Sequence, residues 1–179
     1  VTREDADEFS LRSYTRATQA ISEGKFEKEI VNVPLNKSAD ENFHVDECVR
    51  KDTTLDGLAS LKPVFKKDGI VTAGNSSQLS DGAASMMIMS KDKAQELGVT
   101  PQARVVDYAT SGVEPKYIME APLPTVKKLF NKTKLNMNQI DLIEHNEAYA
   151  TASIVVSREL KINPDKFNVN GGAVSLGHP

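Results

Sequence analysis

Apolar and small residues recur every three or four positions near the start of the chain, which predicts an amphipathic helix. The members of this repeat are Ala6, Phe9, Ser13, Ala17, Ala20 and Ile21. Thr2 stands where a helix N-cap belongs, and the acidic Asp5 follows at the spacing of a capping box. Gly24 is a typical stop signal after a helix. The first element is therefore expected to be a long helix with one buried face.

Further along the chain, short apolar runs alternate with segments of helical periodicity. Strands are predicted at residues 29–35, 83–89, 104–108 and 140–144. The run at 83–89 has the composition of a fully buried strand. Helices are predicted at residues 54–61, 90–98, 125–134 and 147–160, and a polar, exposed loop at 36–45. Strands that alternate with helices of this length predict an α/β fold built in layers.

The composition narrows the class of protein. Apolar residues make up 39% of the 179 positions and charged residues 26%, which is typical of a folded globular chain. The net charge is −3, so nucleic acid is not an expected partner. No apolar stretch approaches the roughly 18 residues of a membrane span. The charged first residues do not resemble a signal peptide. The single cysteine, Cys48, excludes an internal disulfide and a multi-thiolate zinc site, and no metal is expected.

Cys48 and His178 are the first candidates for chemistry. Cys48 has acidic residues on one side and Arg50 on the other, a mixed setting that favours an incidental thiol over a nucleophile. His178 follows a glycine-rich turn and precedes Pro179, which restricts the backbone and so fixes the direction of the imidazole. A histidine held in this way is suited to act as a general base near neutral pH. A structural turn histidine has the same sequence pattern.

Asn146 stands between the predicted strand at 140–144 and the predicted helix at 147–160, where α/β sheets present residues to a ligand. Its amide is able to donate to an oxyanion or hold a water, or it simply caps the helix. The adjacent His145 is expected to be a partly buried neighbour of such a site. The flexible loop at 72–77 either lets the backbone approach a cofactor or only connects two elements. It matches neither the phosphate-binding nor the dinucleotide-binding glycine motif.

Three stretches taken together resemble the thiolase family. They are VTAGNSSQLSDGAA at 71–84, DLIEHNEAYA at 141–150 and NVNGGAVSLGHP at 168–179. The resemblance implies a thiolase-like layered αβαβα fold that is present only in part. It also implies a loop-domain part that contacts coenzyme A at residues 1–70, the last strand and helix of the N-terminal thiolase half at 71–98, and the first part of the C-terminal half at 99–179.

The thiolase family catalyses a reversible Claisen condensation of acyl-CoA thioesters through a cysteine acyl-enzyme. By this resemblance His178 activates the cysteine and contributes to an oxyanion hole, and Asn146 holds a water in the same hole. The residues expected to contact coenzyme A are Arg50, Phe65, Ala73, Gly74 and Ser77. Those expected to line the acyl pocket are Met119, Ala148 and Tyr149.

Within the family, the resemblance points to an acetyl-CoA acetyltransferase acting on acetyl-CoA and acetoacetyl-CoA. Coenzyme A is then substrate or product, and no covalently bound cofactor is implied. A 3-ketoacyl-CoA thiolase of longer-chain fatty-acid degradation is the alternative inside the family. A non-catalytic CoA-binding or assembly module is the alternative outside it. The enzyme is expected to be a homo-oligomer in the cytoplasm, with mitochondria or peroxisomes as the other locations.

The sequence also departs from the family pattern. Tyr149 stands where the family usually has phenylalanine, and Gly57 replaces a serine that often touches coenzyme A. The turn at 119–124 lacks the glycines common in the family. Cys48 matches neither of the family's two catalytic cysteines. The chain is therefore expected to be part of a longer thiolase polypeptide and to lack catalysis by itself.

Overall fold

The computed structural model describes residues 1–35 and 42–179, which form two compact units. The first unit joins Val1–Asp81 to Met137–Pro179, and the second is Gly82–Asn136. The helices are α1 (Arg3–Ser22), α2 (Leu55–Ala59), α3 (Lys91–Glu96), α4 (Pro122–Thr133), α5 (Ala150–Glu159) and α6 (Ala173–Leu176). Within the described ranges no helix is long and apolar enough to cross a membrane, and no group of His, Cys, Asp and Glu side chains is placed to hold a metal ion.

The long helix α1 is the centre of the first unit, and α2, α5 and α6 each pack against it. At its start the Thr2 hydroxyl accepts from the Asp5 N–H at 3.1 Å, while the Asp5 carboxylate accepts from the Thr2 N–H at 2.8 Å. Gly24, in the left-handed region at φ +67°, follows its end. Its buried face holds Ala6, Phe9, Ser13, Ala17 and Ala20. The predicted first helix, its cap and its buried face are confirmed.

The other predicted helices are also confirmed, with shifted ends. Those at 54–61, 90–98, 125–134 and 147–160 correspond to α2, α3, α4 and α5. Thr54 and Ser90 cap α2 and α3 with their side-chain oxygens, as short polar residues at N-caps do. α4 begins early, at Pro122, because the fixed φ of proline suits a first helical turn. α5 begins late because Tyr149, its N-cap, is extended and bridged to Ser76.

The predicted strands form only in small part. β1 (Val33–Pro34) lies within the predicted strand at 29–35 and pairs antiparallel with β2 (Asn42–Phe43). β2 falls inside the predicted loop at 36–45, of which residues 36–41 lie outside the described residues. The predicted strand at 140–144 contributes a parallel bridge between Ile143 and Phe167.

Two predicted strands, at 83–89 and 104–108, are wrong for the chain as described. Met86 is 83% exposed and Val105 is 72% exposed. Neither run pairs with another strand in residues 1–35 and 42–179. The physical reason is that a strand is stabilised by hydrogen bonds to a neighbouring strand, whereas an apolar run supplies only the side chains for a core.

A buried polar network joins α1 to the loop at 72–77. The Asp7 carboxylate, only 4% exposed, accepts from Arg3 Nε at 2.7 Å and from Asn75 Nδ2 at 2.9 Å. Asn75 is fully buried, and its Oδ1 accepts from the Thr72 N–H at 2.8 Å. Because these buried groups are all paired, the network holds the loop against the helix.

The second unit is built around α4 and the 3-10 helix Pro115–Glu120. Lys132 of α4 pairs with Asp107, and the Thr125 hydroxyl bonds the hydroxyl of Ser111. These contacts hold the extended chain at 104–111 beside the helix. Met119, a predicted acyl-pocket residue, lies in the 3-10 helix and is 41% exposed.

Candidate active site

Asn146 and His178 meet in the first unit. The Asn146 amide nitrogen Nδ2 lies 2.8 Å from Nε2 of His178. When the amide donates, Nε2 is the unprotonated acceptor and the imidazole proton is on Nδ1. The two residues are 32 positions apart in the sequence. The structure therefore brings together the two predicted catalytic side chains.

Gly177 directs His178 by its backbone conformation and by its lack of a side chain. Its φ of +98° lies in the region that favours glycine. A Cβ atom there would lie 2.6 Å from Ser80 Oγ and 3.2 Å from Cys48 Sγ. The His178 N–H then donates to the Gln78 carbonyl at 3.4 Å. This turn therefore needs a glycine just before the histidine.

Asn146 does not cap a helix. The N-cap of α5 is Tyr149, and it makes no side-chain cap bond, so the capping alternative is wrong. Asn168 instead holds the residue before Asn146: its Oδ1 accepts from the His145 N–H at 2.7 Å, and its Nδ2 donates to the His145 carbonyl at 2.9 Å. The backbone at His145 is thus fixed from both sides while the Asn146 side chain faces the histidine.

The loop at 72–77 lies against the segment that follows Asn146. The Ser77 N–H donates to the Ala148 carbonyl at 3.0 Å, and the Ala150 N–H donates to the Asn75 carbonyl at 3.0 Å. Ser77 and Ala148 are half-buried, whereas Ala73 in the same loop is exposed. The predicted CoA-binding loop and the predicted acyl-pocket segment are therefore neighbours in space.

A cleft of about 600 Å³ opens next to this loop. Its lining includes Tyr14, Arg50, Lys51, Gly57, Leu58 and Gly74. A Cβ atom on Gly74 would overlap the Leu58 and Leu61 side chains at 2.5 and 2.7 Å, so the loop packs closely here. Arg50 and Lys51 bring positive charge, offset in part by Asp52, to a cleft that also has apolar walls. Such a lining fits a ligand with an anionic part and an apolar part.

Phe65 and Tyr149 form an aromatic pair. Their ring centroids lie 6.2 Å apart with an interplanar angle of 74°, an edge-to-face arrangement. Phe65 is 69% exposed, so most of its ring faces solvent in this chain. The pair links a predicted CoA-binding residue to a predicted acyl-pocket residue.

No sequence pattern singles out Gln78, which connects the cleft to His178. Its side-chain Nε2 donates to the Tyr14 hydroxyl at 3.1 Å and to the Cys48 backbone carbonyl at 3.0 Å. Its backbone carbonyl accepts from the His178 N–H. In the sequence it is one polar loop residue among many. Cys48 is half-buried, with its Sγ beside Gly177.

His145 is a partly buried neighbour of the pair, as expected. Its Nδ1 lies 3.0 Å from Ser153 Oγ, and its ring centroid lies 5.9 Å from that of Phe167. Burial lowers the pKa of His145 below its ordinary value because the charged imidazolium loses hydration. The folded chain therefore favours the neutral imidazole.

We expect His145 to make the free energy of unfolding fall as the pH is lowered through 6.5, its ordinary pKa. Its pKa is lower in the folded state, so the unfolded chain binds the proton first. The contribution is present above the unfolded pKa and is lost as the pH falls toward the folded one. Urea unfolding at pH values about one unit either side of the unfolded pKa measures the loss. His145→Gln should lose less stability than the wild type, and an equal loss in both would contradict the assignment.

Two family models together match nearly the whole chain. The one described as "Thiolase, N-terminal domain" matches residues 1–92, and the one described as "Thiolase, C-terminal domain" matches residues 99–179. The chain belongs to the thiolase family. The resemblance carried by the three sequence motifs is therefore confirmed.

Curated relatives of this thiolase chain include two bacterial acetyl-CoA acetyltransferases. The one from Syntrophomonas wolfei is 48% identical over 182 residues, covering 100% of this chain and 46% of the relative. The one from Chromobacterium violaceum is 46% identical over 179 residues, covering 99% of this chain and 46% of the relative. The thiolase chain described here thus spans about half the length of the curated relatives it matches.

Solved thiolase structures match the fold. The crystal structure of the Bacillus anthracis acetyl-CoA acetyltransferase has a TM-score of 0.96 at 44% identity, with 100% of this chain and 46% of that chain covered. The crystal structure of human mitochondrial 3-ketoacyl-CoA thiolase in complex with CoA has a TM-score of 0.95 at 41% identity, with 100% and 45% covered. The expected thiolase fold, present in part, is confirmed.

Proposed function

We propose that the natural polypeptide carrying these residues is an acetyl-CoA acetyltransferase. It cleaves acetoacetyl-CoA with coenzyme A into two molecules of acetyl-CoA through a cysteine acyl-enzyme, and it runs the reverse condensation. One observation carries the proposal: the 2.8 Å contact between Asn146 Nδ2 and His178 Nε2 in a thiolase chain. The relatives at 48% and 46% identity bear the name acetyl-CoA acetyltransferase, which supports acetyl-CoA as the substrate.

In this proposal His178 acts first as a general base and then as an oxyanion donor. Its Nε2 lone pair accepts from the Asn146 amide, and this hydrogen bond breaks when the lone pair takes the proton of a cysteine thiol. Once the proton is on Nε2, the same atom donates to the oxygen that becomes negative in the tetrahedral intermediate. The Asn146 amide then holds a water that faces the same oxygen. The developing charge is then met by two donors, the protonated Nε2 and the water held by Asn146.

Coenzyme A is the proposed ligand of the cleft and of the loop beside it. Arg50 suits the phosphate-bearing end because a guanidinium binds phosphate oxygens in pairs. Phe65 and Ser77 suit the pantetheine arm, and the small, exposed Ala73 lets that arm approach the backbone. Gly74 is proposed to contact it from the cleft wall, where it packs against Leu58 and Leu61. The solved human relative in complex with CoA supports this assignment.

We expect Arg50→Ala to weaken CoA binding by the natural polypeptide roughly tenfold, because one charge-assisted hydrogen bond to phosphate is lost. KM for acetoacetyl-CoA should rise while kcat stays nearly unchanged, since the arginine lies away from the reacting atoms. Calorimetric titration with CoA measures the affinity. Arg104→Ala, which removes an exposed arginine of the second unit, is the matched control. Equal affinities for the two variants would count against Arg50 as a CoA ligand.

Acyl-chain length separates the proposal from its alternative within the family. We assign Ala148 and Tyr149 of the first unit to the acyl pocket, and the tyrosine hydroxyl adds a polar group there; Met119 of the second unit stays a prediction from the resemblance. Thiolysis rates should be compared for acetoacetyl-CoA and longer 3-ketoacyl-CoA substrates. The highest kcat/KM at the shortest substrate supports the proposal. A maximum at a longer chain would favour a 3-ketoacyl-CoA thiolase, the name borne by the human neighbour.

We propose that the 179 residues do not catalyse thiolysis alone, because Cys48 does not match the family's nucleophile. The assay is thiolysis of acetoacetyl-CoA by this chain and by the natural polypeptide, together with CoA titration. Turnover by the 179 residues would refute this part of the proposal. CoA binding without turnover by the natural polypeptide would favour a binding module.

We further propose the thiolase organisation of the chain: the loop-domain part at 1–70, the last strand and helix of the N-terminal half at 71–98, and the opening of the C-terminal half at 99–179. The natural polypeptide is proposed to be a cytoplasmic homo-oligomer, a dimer or a tetramer. The exposed apolar Met86 and Val105 support burial of this chain against the rest of the natural polypeptide. Light scattering of the purified polypeptide tests the oligomeric state.

A further inference from the structure

Glu147 is buried next to Asn146 and has hydrogen-bond donors on three separate segments. It is 1% exposed. Its Oε2 accepts from the Ser13 hydroxyl of α1 at 2.7 Å and from the Val174 N–H of α6 at 3.3 Å, and its Oε1 accepts from Asn168 Nδ2 at 2.7 Å. Burial raises the pKa of Glu147, while these donors stabilise the charged form. A carboxylate, which only accepts, fits a site where every neighbour donates.

We propose that Glu147 is a positioning residue that fixes the distance between Asn146 and His178 and so makes the pair competent for catalysis. This inference rests on the proposed function, because it assigns Glu147 a role in that same site. Glu147 acts through the segments that carry the two side chains. One carboxylate thereby joins α1, the segment before α5 and the segment that leads to the histidine.

On the Asn146 side, both flanking residues are fixed by Asn168. The Asn168 amide bonds the backbone of His145 in both directions and also donates to Glu147. Asn168 itself has a φ of +46°, a conformation that asparagine tolerates better than most residues. Asn146 therefore lies between two residues that are held by hydrogen bonds, His145 and Glu147, and these fix the position of its side-chain amide.

On the His178 side, the carboxylate holds the start of α6, and only Gly177 separates α6 from the histidine. Ser13 reinforces this contact, since its hydroxyl lies 2.9 Å from Ser175 Oγ and accepts from the Gly172 N–H at 3.1 Å. A side chain at Gly172 would overlap the carboxylate of Glu147. A shift of α6 would therefore move His178 away from the amide.

A glutamine at position 147 would leave one fixed donor without an acceptor whichever way its amide turned. If the nitrogen replaced Oε2, it would face the Val174 N–H, which is fixed by α6. If it replaced Oε1, it would face Asn168 Nδ2, and turning the Asn168 amide would break both bonds to His145. Because the side-chain volume is unchanged, Glu147→Gln alters positions without opening a cavity.

The test compares Glu147→Gln in two backgrounds of the natural polypeptide. We expect it to lower kcat for acetoacetyl-CoA thiolysis about tenfold with KM changed less than about twofold, because misplacement acts on the reacting atoms. In an Asn146→Ala background the same substitution should lower kcat clearly less than it does in the wild type, because the Asn146–His178 distance is lost and only the placement of His178 is still affected. A loss below about fivefold in the wild type, or an equal loss in the two backgrounds, would overturn the proposal.

Ser10→Ala is the matched structural control, because that hydroxyl is buried on α1 and donates only within the helix, to the Ala6 carbonyl at 2.8 Å. It should lower the melting temperature and leave kcat unchanged. If Glu147→Gln does not fold, Ser13→Ala takes its place, because it removes one of the donors to the carboxylate. The same limits on the loss of kcat in the two backgrounds then apply.

Failure of the proposed function has its own signature, which is a folded wild type without thiolysis. The positioning role is then tested by crystal structures of the wild type and Glu147→Gln. The wild type should show Asn146 Nδ2 and His178 Nε2 2.8 Å apart. In Glu147→Gln the same two atoms should lie more than roughly 3.5 Å apart, beyond hydrogen-bond reach. An unchanged separation would overturn the proposal.

Discussion

Replacing His178 with alanine is expected to lower kcat for thiolysis by the natural polypeptide at least about a thousandfold. The substitution removes the proposed acceptor of the thiol proton and one of the two oxyanion donors together. KM should change far less, because Arg50 and the cleft remain. The loss of acetoacetyl-CoA, followed spectrophotometrically at saturating CoA, measures both constants. A variant within about tenfold of the wild-type kcat would exclude His178 as the base.

Cys48→Ser is the matched control for His178→Ala. Its Sγ lies beside the turn at Gly177, yet Cys48 does not match the family's nucleophile and is proposed to carry no acyl group. We expect kcat to stay within about twofold of the wild type, because serine is nearly isosteric and the site is only half-buried. Loss of activity, together with an acetyl group found on Cys48 by mass spectrometry, would show that this cysteine is the nucleophile.

The helices could be predicted from the sequence because their determinants are local. The Thr2–Asp5 capping pattern, the apolar repeat and Gly24 all lie within one stretch of chain, and each has its predicted role in α1. Thr54 and Ser90 likewise cap the helices that follow them. Where a signal and its effect are close in the sequence, pattern reasoning is sufficient.

The strands could not be predicted in the same way, because a strand is stabilised by backbone hydrogen bonds to a neighbouring strand from another part of the chain. The apolar runs at 83–89 and 104–108 have strand composition but no pairing partner in the described chain, and they are exposed. Ile143 pairs with Phe167, but only through a single bridge. Composition therefore indicates which segments are suited to a sheet, and the neighbour decides whether the sheet forms.

The site shows the same division. His178 and Asn146 could each be selected from the sequence, but their 2.8 Å contact depends on how the loops before and after α5 fold. No sequence pattern singles out Glu147, because an acidic residue near a helix start is ordinary. Its role depends on Ser13, which lies 134 positions away in the sequence. Motifs thus identify the groups that meet substrate more readily than the groups that hold them.

Gly171→Ala, which adds a single methyl group, is expected to destabilise the first unit by roughly 3 kcal/mol. Gly171 has a φ of +82°, a conformation that alanine rarely adopts. Its new Cβ atom would lie 2.7 Å from Ala17 Cβ and 2.8 Å from the Ser13 carbonyl. The second contact is with the backbone of α1, which cannot turn aside as a flexible side chain can. Urea unfolding of the natural polypeptide measures the loss.

Two other glycines separate the conformational cost from the steric one. Gly98 has a similar φ of +64° but nothing within 4 Å of its Cβ position, so Gly98→Ala should cost only about 1 kcal/mol. Gly112 has neither a positive φ nor a close neighbour, so Gly112→Ala should be close to neutral. If Gly171→Ala and Gly98→Ala lose the same free energy of unfolding, α1 accommodates the new methyl group at little cost. A clearly larger loss for Gly171→Ala means that the glycine loop leading to His178 packs against α1 and cannot move away from it. The reason is that Ser13 and Glu147 bond the backbone N–H groups of Gly172 and Val174.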